Sequence, residues 1–232
     1  MTQGENSYRH DVFLSDLRHI NHRRQQRIWA EHQDMQLSFL QRRGLTSSSN
    51  VLDLGCGPMR LGSALIPLLK DGWYFGQDIN PNTISFGEEV LREAGISEQS
   101  PYTLFASDQF DLSFIDRPVE IAFSNSLFSH LTLNSIFTAL LQLKKVLEPS
   151  GVFYATFFTL ENGGSWLNPH PRNKWGRQFD TYPHQDPYHY SVSLIKSIAK
   201  EAGFRLDMAK DYEHPTQVMG RFRLRTSRFL FL

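Results

Sequence analysis

The stretch from Val51 to Gly62 holds residues whose types and spacing could bind a nucleotide-like ligand. It opens with a mainly apolar run of the length of a buried strand, and Gly55 and Gly57 follow directly, before a helical pattern begins. The two glycines allow the backbone to turn sharply and let a ligand lie close against it. Asp53 lies within the predicted strand, where burying a carboxylate is costly unless it has a function.

The position three residues beyond Gly57 discriminates between kinds of ligand. A dinucleotide site would have a glycine there, so that a pyrophosphate could lie on the helix N-terminus. Arg60 occupies that position. A ligand with no phosphate and with a positive centre fits better, because the carboxylate of Asp53 would complement its charge.

The run Asp53-Leu54-Gly55-Cys56-Gly57 resembles the first motif of the class I S-adenosylmethionine-dependent methyltransferases. The resemblance implies S-adenosylmethionine as the cofactor and S-adenosylhomocysteine as the product. It also implies that Asp53 lies near the methionine end of the cofactor and that the glycine loop packs against it. Met59 stands where the family often has a third glycine, and we interpret it as a tolerated variation.

Asp78 follows the predicted second strand, Trp73 to Gln77, and lies 21 residues after Gly57. An acid at this strand end can accept hydrogen bonds from both hydroxyls of a ribose. The alternative is that it caps the helix that begins at Asn80-Pro81. On the resemblance, the cofactor-binding residues are predicted to be Asp53, Gly55, Cys56, Gly57, Arg60, Asp78, Ile79, Asp108 and Asn125. Asp111 competes with Asp108 for the adenine contact.

The segment Asn125 to Leu131 follows a predicted fourth strand, Val119 to Ser124. It resembles the family's loop beside the transferable methyl group. His130 is therefore our candidate for a general base, which is needed only if the acceptor carries a proton that must leave early. The alternative is a histidine whose ring bonds a backbone carbonyl near a helix start.

Strands and helices alternate along the chain and end in two strands, Phe204 to Lys210 and Gln217 to Arg225. This order predicts an α/β fold, a Rossmann-like doubly wound seven-stranded sheet that is mostly parallel with a closing antiparallel hairpin, plus N-terminal helices. A helix face is also expected over residues 61–69. We expect an N-terminal helical segment at 1–45 and a methyltransferase domain at 46–232.

Three segments are candidates for the acceptor side of the site, and one of them is the hairpin turn at His214. The helical pattern over 8–43 is either a solvated face packed on the domain or a lid that turns Trp29 or His32 inward. The segment 161–190 shows no clear period, and such a long connection is often functional; the alternative is a surface loop whose aromatics pack on the domain. The predicted substrate-binding residues are Tyr182, His184, Tyr188, His189 and His214.

Composition limits the remaining classes of function. Lys plus Arg and Asp plus Glu are both 24, so the net charge is zero and nucleic acid is not favoured as a partner. The single cysteine, the lack of an apolar span and the polar N-terminus predict a cytoplasmic protein with no membrane association. The histidine spacings match no common zinc pattern, so no metal is predicted.

These features together predict an S-adenosylmethionine-dependent methyltransferase that transfers a methyl group to an oxygen or nitrogen of a small molecule by in-line displacement. Because the sulfonium methyl is already activated, alignment of the nucleophile is the enzyme's main task. Two alternatives remain open. One is a catalytically inactive, methyltransferase-like accessory protein, and the other is a nicotinamide-dependent oxidoreductase, which Arg60 and the closing hairpin disfavour. The sequence identifies neither the acceptor nor the oligomeric state.

Overall fold

The computed structural model describes residues 23–160, 165–174 and 177–225. Within these ranges helices and strands alternate along most of the chain. In chain order they are α1 (Arg23–Arg42), β1 (Asn50–Leu54), α2 (Gly62–Leu65), a 3-10 turn (Ile66–Leu68), β2 (Trp73–Asp78), α3 (Pro81–Glu93), β3 (Tyr102–Ala106), β4 (Val119–Ser124), a 3-10 turn (Phe128–His130), α4 (Leu133–Val146), β5 (Leu147–Thr159), β6 (His170–Lys174), β7 (Arg177–Thr181), β8 (His189–Tyr190), α5 (Val192–Glu201), β9 (Phe204–Ala209) and β10 (Val218–Leu224).

Seven strands form the main path of the central sheet in the order β3-β2-β1-β4-β5-β10-β9. The first five run parallel, while β10 is antiparallel to both β5 and β9. The predicted fold, including the closing hairpin, is confirmed. The two residues of β8 add a short parallel pairing to the end of β5. Because the parallel strands share one direction, the loops that follow β1, β2 and β4 meet at one edge of the sheet.

The core forms two layers because side chains alternate between the faces of each strand. On β1, Leu52 faces the helices α4 and α5, whereas Val51 faces the side of α1 and α2. Tyr74 and Phe75 divide in the same way on β2. Asp53 lies on the Val51 side of the sheet by the same alternation, and it is 4% exposed.

The helix predicted over residues 61–69 is shorter than expected. Only one α-helical turn forms, and Pro67 then lies in a 3-10 turn. The cause is that proline has no backbone N–H to continue the α-helical hydrogen bonds. Leu68 is therefore exposed instead of lying on the predicted buried face.

The segment 161–190 is more regular than its sequence indicated. Its described part contains the antiparallel hairpin β6–β7 and the short strand β8, so the prediction of a connection without regular structure is wrong there. Phe179 on the hairpin packs edge-on against Phe158 of β5, with ring centroids 5.7 Å apart. The Arg172 guanidinium lies over the same Phe158 ring. These contacts attach the hairpin to the end of the central strand.

The carboxyl-terminal half of α1 belongs to the core. Phe39 and Leu40 are fully buried. The Phe39 ring packs edge-on against Tyr154 and Tyr212, at centroid distances of 5.0 and 4.9 Å. The first part of the predicted N-terminal helical pattern, residues 8–22, lies outside the described residues. None of the described helices is long and apolar enough to cross a membrane.

Candidate functional site

A cavity of about 220 Å³ opens at the sheet edge where β1, β2 and β4 end. Its walls come from the glycine loop, from the loops after β2, β3 and β4, and from α1. All nine residues predicted to bind the cofactor line it, and so does His130. The lining residues that the sequence did not single out include Gln36, Thr83, Phe110, Ser126 and Leu127.

The glycine loop takes the backbone conformation that its sequence requires. Gly55 and Gly57 have φ values of +75° and +55°, which L side chains rarely adopt. The N–H groups of Gly55 and Cys56 both donate to the Gln77 carbonyl, at 2.7 and 3.0 Å, which ties the loop to β2. A Cβ on Gly57 would meet no protein atom within 4 Å, so the backbone there borders open space at the cavity.

Met59 keeps the left-handed backbone that a third glycine would provide. Its φ is +65°, and its side chain is fully buried. The side chain lies where Gly62 and Gly87 leave room, because a Cβ on either glycine would come within 2.6 Å of a Met59 carbon. The departure from the family pattern is thus compensated by two glycines outside the motif.

Asp78 connects the second strand to the glycine loop. Its Oδ2 accepts the Gly57 N–H at 3.0 Å, and its Oδ1 accepts the Asn80 N–H at 3.1 Å. Burial raises the pKa of Asp78, and these backbone hydrogen bonds oppose the rise. The cap of α3 is Asn80, whose side chain accepts the Asn82 N–H. The α3 helix is therefore capped by Asn80 and not by Asp78. Each carboxylate oxygen has a second lone pair with which to accept a ligand hydroxyl.

Asp53 is a buried acid at the floor of the cavity. Its Oδ2 accepts the hydroxyl of Tyr74 at 2.7 Å. Burial raises its pKa from 3.8 to about 7, although the Tyr74 hydrogen bond opposes the rise. A cation bound in the cavity would favour the ionised form. Burial also raises the pKa of Cys56, so its thiol stays protonated and is not a nucleophile at neutral pH.

The helix α1 closes one side of the cavity. Gln36 is 4% exposed and lines the cavity directly. Arg60 lies over the Trp29 ring at 4.6 Å and has its Nη1 3.5 Å from the Nδ1 of His32. Gln33 donates to the Arg60 carbonyl at 2.6 Å. Trp29 and His32 thus hold the Arg60 side chain; neither of them lines the cavity.

The loop after β4 is held by partners from β5 and from the turn of the closing hairpin. Asn125 accepts the hydroxyl of Tyr212 at 2.7 Å. Ser126 has a φ of +63°, and its N–H donates to the Thr156 hydroxyl at 2.7 Å. The Gln217 side-chain amide donates to the Ser126 hydroxyl at 3.3 Å. These contacts fix two residues that line the cavity.

His130 is bonded to a residue that the sequence analysis did not identify. Its Nδ1 lies 2.5 Å from the Oδ1 of Asp186, which belongs to the segment before β8. The Nδ1 partner is thus a carboxylate. No sequence pattern marked Asp186, because the two residues are 56 positions apart and meet only through the fold.

None of the five predicted substrate-binding residues lines the cavity. His189 is fully buried, its Nδ1 lies 3.1 Å from the Thr181 hydroxyl and its Nε2 lies 3.2 Å from the Trp166 carbonyl. His214 uses Nδ1 to accept the N–H groups of Thr216 and Gln217. The ring of Tyr188 stacks on that of Tyr190. His184 is exposed, and Tyr182 packs edge-on against it. In the structure these five side chains make packing and turn contacts, and their role in binding an acceptor stays a prediction.

The two candidates for the adenine contact separate in the structure. Asp108 lines the cavity, whereas Asp111 lies outside the lining and accepts the Ser113 N–H at 2.9 Å. Among the described residues, no group of three or more His, Cys, Asp or Glu side chains is arranged to hold a metal ion.

Comparison with known proteins finds a family match over part of the chain and a shared fold over most of it. Residues 51–151 match the model of a methyltransferase domain. The fold is similar to that of magnesium protoporphyrin IX methyltransferase from Synechocystis PCC 6803 with bound SAH, at a TM-score of 0.64 and 14% identity, covering 94% of this chain and 97% of the other. An S-adenosylmethionine-dependent methyltransferase from Clostridium acetobutylicum ATCC 824 has a TM-score of 0.62 and 15% identity, covering 85% and 92%.

A glycopeptide N-methyltransferase complexed with SAM is also similar, at a TM-score of 0.59 and 14% identity, covering 83% of this chain and 93% of the other. At these identities the likenesses show the fold. The match over residues 51–151 and the shared methyltransferase fold agree with the resemblance drawn from the sequence.

Proposed function

We propose that this protein transfers a methyl group from S-adenosylmethionine to an oxygen or nitrogen of a small molecule. The observation that carries the proposal is the Asp78 carboxylate, held 3.0 Å from the Gly57 N–H at the edge of one cavity. That arrangement presents two acceptor oxygens beside a glycine backbone with open space next to it. A nucleoside with adjacent hydroxyls and no phosphate suits these groups.

The residues of the cavity fit the parts of this cofactor. Asp78 would accept the ribose hydroxyls, and Ile79 and Asp108 would border the adenine. Arg60 would attract the carboxylate of the methionine part, while Asp53, Gly55, Cys56 and Gly57 would border its positive centre. Asn125 would lie beside the methyl group. When bound, the cofactor supplies an activated methyl on a sulfonium. The chain's own residues bind it, exclude water and orient the acceptor.

Small-molecule acceptors are supported by the proteins with the same fold, which include a protoporphyrin and a glycopeptide methyltransferase. The cavity also has apolar walls at Phe110, Leu127 and Leu131, which suit an organic acceptor. His130 at the same cavity would accept a proton from the acceptor where one must leave.

Isothermal calorimetry tests the proposal and separates it from the alternatives. We expect one-to-one binding of S-adenosylmethionine and S-adenosylhomocysteine, and no binding of NADH. Binding of NADH alone would favour an oxidoreductase. Binding without release of S-adenosylhomocysteine in a screen of metabolites would favour an inactive accessory protein.

A further inference from the structure

The ring of His130 lies between the cavity and a carboxylate. His130 lines the cavity, whereas Asp186 does not, and their side chains meet at 2.5 Å between Nδ1 and Oδ1. Both side chains are only 17% exposed, so water competes little for the bond. The carboxylate therefore acts on the imidazole from outside the ligand space.

The bond determines which ring nitrogen carries the proton. An ionised carboxylate can only accept a hydrogen bond, so Nδ1 of His130 must be the donor. In the neutral imidazole the other nitrogen, Nε2, then holds a lone pair. A histidine held in this tautomer by a carboxylate is the arrangement in which imidazole acts as a general base.

The backbone around His130 is fixed by the same segment that carries Asp186. The carbonyl of Ser129 accepts the Tyr188 N–H at 2.6 Å. The carbonyl of Leu131 accepts the Tyr190 hydroxyl at 2.5 Å. The residues on both sides of His130 are therefore bonded to the chain that follows Asp186, which sets the separation of the two side chains before any ligand binds.

Other acids at the cavity are less suited to take a proton. Asp53 accepts the Tyr74 hydroxyl, and Asp78 accepts two backbone N–H groups. Asp108 lies in the loop after β3 and is exposed. Arg60 is already a cation. His130 differs from these groups in that a ring nitrogen is bonded to the carboxylate of a second residue.

We propose that Asp186 is a positioning residue for His130 and that the methyl acceptor is a hydroxyl group. The inference rests on the proposed function. A neutral amine can attack a methyl group before it loses a proton, and a carboxylate has none to lose. A hydroxyl oxygen needs a base as its bond forms, so a positioned imidazole is most useful to a hydroxyl acceptor.

The step balances in atoms and charge. The hydroxyl proton passes to Nε2 of His130 while the oxygen forms the new O–CH₃ bond. The S–CH₃ bond breaks, and its electron pair stays on sulfur, which becomes a neutral thioether. The positive charge therefore moves from the sulfonium to the imidazolium, where the Asp186 carboxylate stabilises it. The proton is afterwards released to solvent.

The tautomer of His130 tests the role of Asp186 without any acceptor. The protein is labelled with 15N-histidine, its neutral rings are observed by long-range 1H–15N correlation, and H130Q identifies the His130 signal. We expect the Nδ1–H form in the wild type, a change toward the Nε2–H form in D186N, and the wild-type form again in D186E. The matched control is D180N, an exposed acid on β7. The wild-type tautomer retained in D186N would overturn the role of Asp186.

Radiolabelled S-adenosylmethionine and a panel of phenols with their matched anilines test the acceptor class. We expect transfer to phenols and not to anilines, with the rate at least tenfold lower in D186N and H130Q and unchanged in D180N. Transfer to anilines alone, or to no phenol, would overturn the hydroxyl assignment. Calorimetry with S-adenosylhomocysteine separates the failures: no binding defeats the proposed function itself, whereas normal binding with an unchanged tautomer defeats only this inference.

Discussion

The Oδ2 of Asp78 accepts the backbone N–H of Gly57 at 3.0 Å, which joins the end of the second strand to a loop 21 residues earlier. One carboxylate thus serves two purposes. It stabilises the left-handed turn of the glycine loop, and it presents acceptor oxygens at the cavity. A residue with both roles should affect folding and ligand binding together when it is replaced.

Asp78→Ala should therefore lower both the stability and the affinity for S-adenosylhomocysteine. The change leaves two N–H groups without their acceptor, at a cost of about 1–3 kcal/mol each where they are buried. Urea unfolding and calorimetry measure the two effects. The control is Asn80→Ala, which removes the α3 cap for about 1 kcal/mol and should leave the affinity unchanged. Normal affinity in Asp78→Ala would remove it from the ribose site.

Gly57→Ala should abolish cofactor binding at a small cost in stability. Its φ of +55° costs a side chain about 1–2 kcal/mol, and the new methyl group would stand beside the cavity. Gly95→Ala is a matched control, since Gly95 has a φ of +76° and also has no atom within 4 Å of a Cβ. Both variants should lose similar stability, measured by thermal unfolding. Equal cofactor affinities in the two variants would show that the Gly57 backbone does not contact the ligand.

The stability of the ligand-free protein should fall as pH rises from about 4 to 7, in part because of Asp53. Its folded pKa of about 7 lies above the 3.8 of the unfolded chain, so over this range the unfolded state loses the proton first. The pKa difference between the two states corresponds to a destabilisation of about 4 kcal/mol. This destabilisation is absent below about pH 4 and reaches its full value above about pH 7. Urea unfolding of wild type and Asp53→Asn across this range measures it.

The two proteins share every other titrating group, Asp78 included, so the difference between their stability profiles reports on Asp53. The Asn variant should show the flatter profile. Parallel profiles would mean that Asp53 is already ionised in the folded state at low pH. In the wild type, a cationic ligand should bind more tightly as pH rises through 7, because the ionised carboxylate attracts it.

His189→Ala should destabilise the protein without changing cofactor affinity. Its ring lies within hydrogen-bond distance of Thr181 and Trp166 in a fully buried position, and burial lowers its pKa, so it is neutral at pH 7. Loss of these contacts should cost about 1–3 kcal/mol. His184→Ala is the control, because His184 is exposed and should change stability by less than about 0.5 kcal/mol. Equal stability of the two variants would contradict the packing role.

The residues predicted to bind the cofactor line one cavity, and the sequence could bring them together because its signals are local. Gly55 and Gly57 follow a buried strand directly, and Asp78 ends the next one, so chain order alone brings them to one sheet edge. Strand and helix bounds near the core were also predictable, since apolar runs and Gly or Pro punctuation determine them. Asp53 was placed correctly at the cavity, but its bond to Tyr74 depends on strand register, which no local pattern reveals.

The acceptor side could not be predicted in the same way. The segment 161–190 is rich in aromatic and imidazole groups, and that composition suggested ligand contacts. In the structure, Tyr188 and His189 pack within the segment, while Asp186, which no sequence pattern marked, contacts His130 from outside the cavity. Gln36 was missed for a similar reason: a glutamine on an amphipathic helix carries no signal that distinguishes a cavity wall from a solvated face.

The packing of Phe39 between Tyr154 and Tyr212 has a consequence for how this protein can be cut or recombined. A fragment that starts at residue 46 would leave both tyrosine rings uncovered and would lack the cavity wall at Gln36. We therefore expect this fragment to lose both its solubility and its ligand binding. A chimera that exchanges N-terminal segments between related proteins would have to transfer α1 together with its two aromatic partners, because the helix packs directly on them.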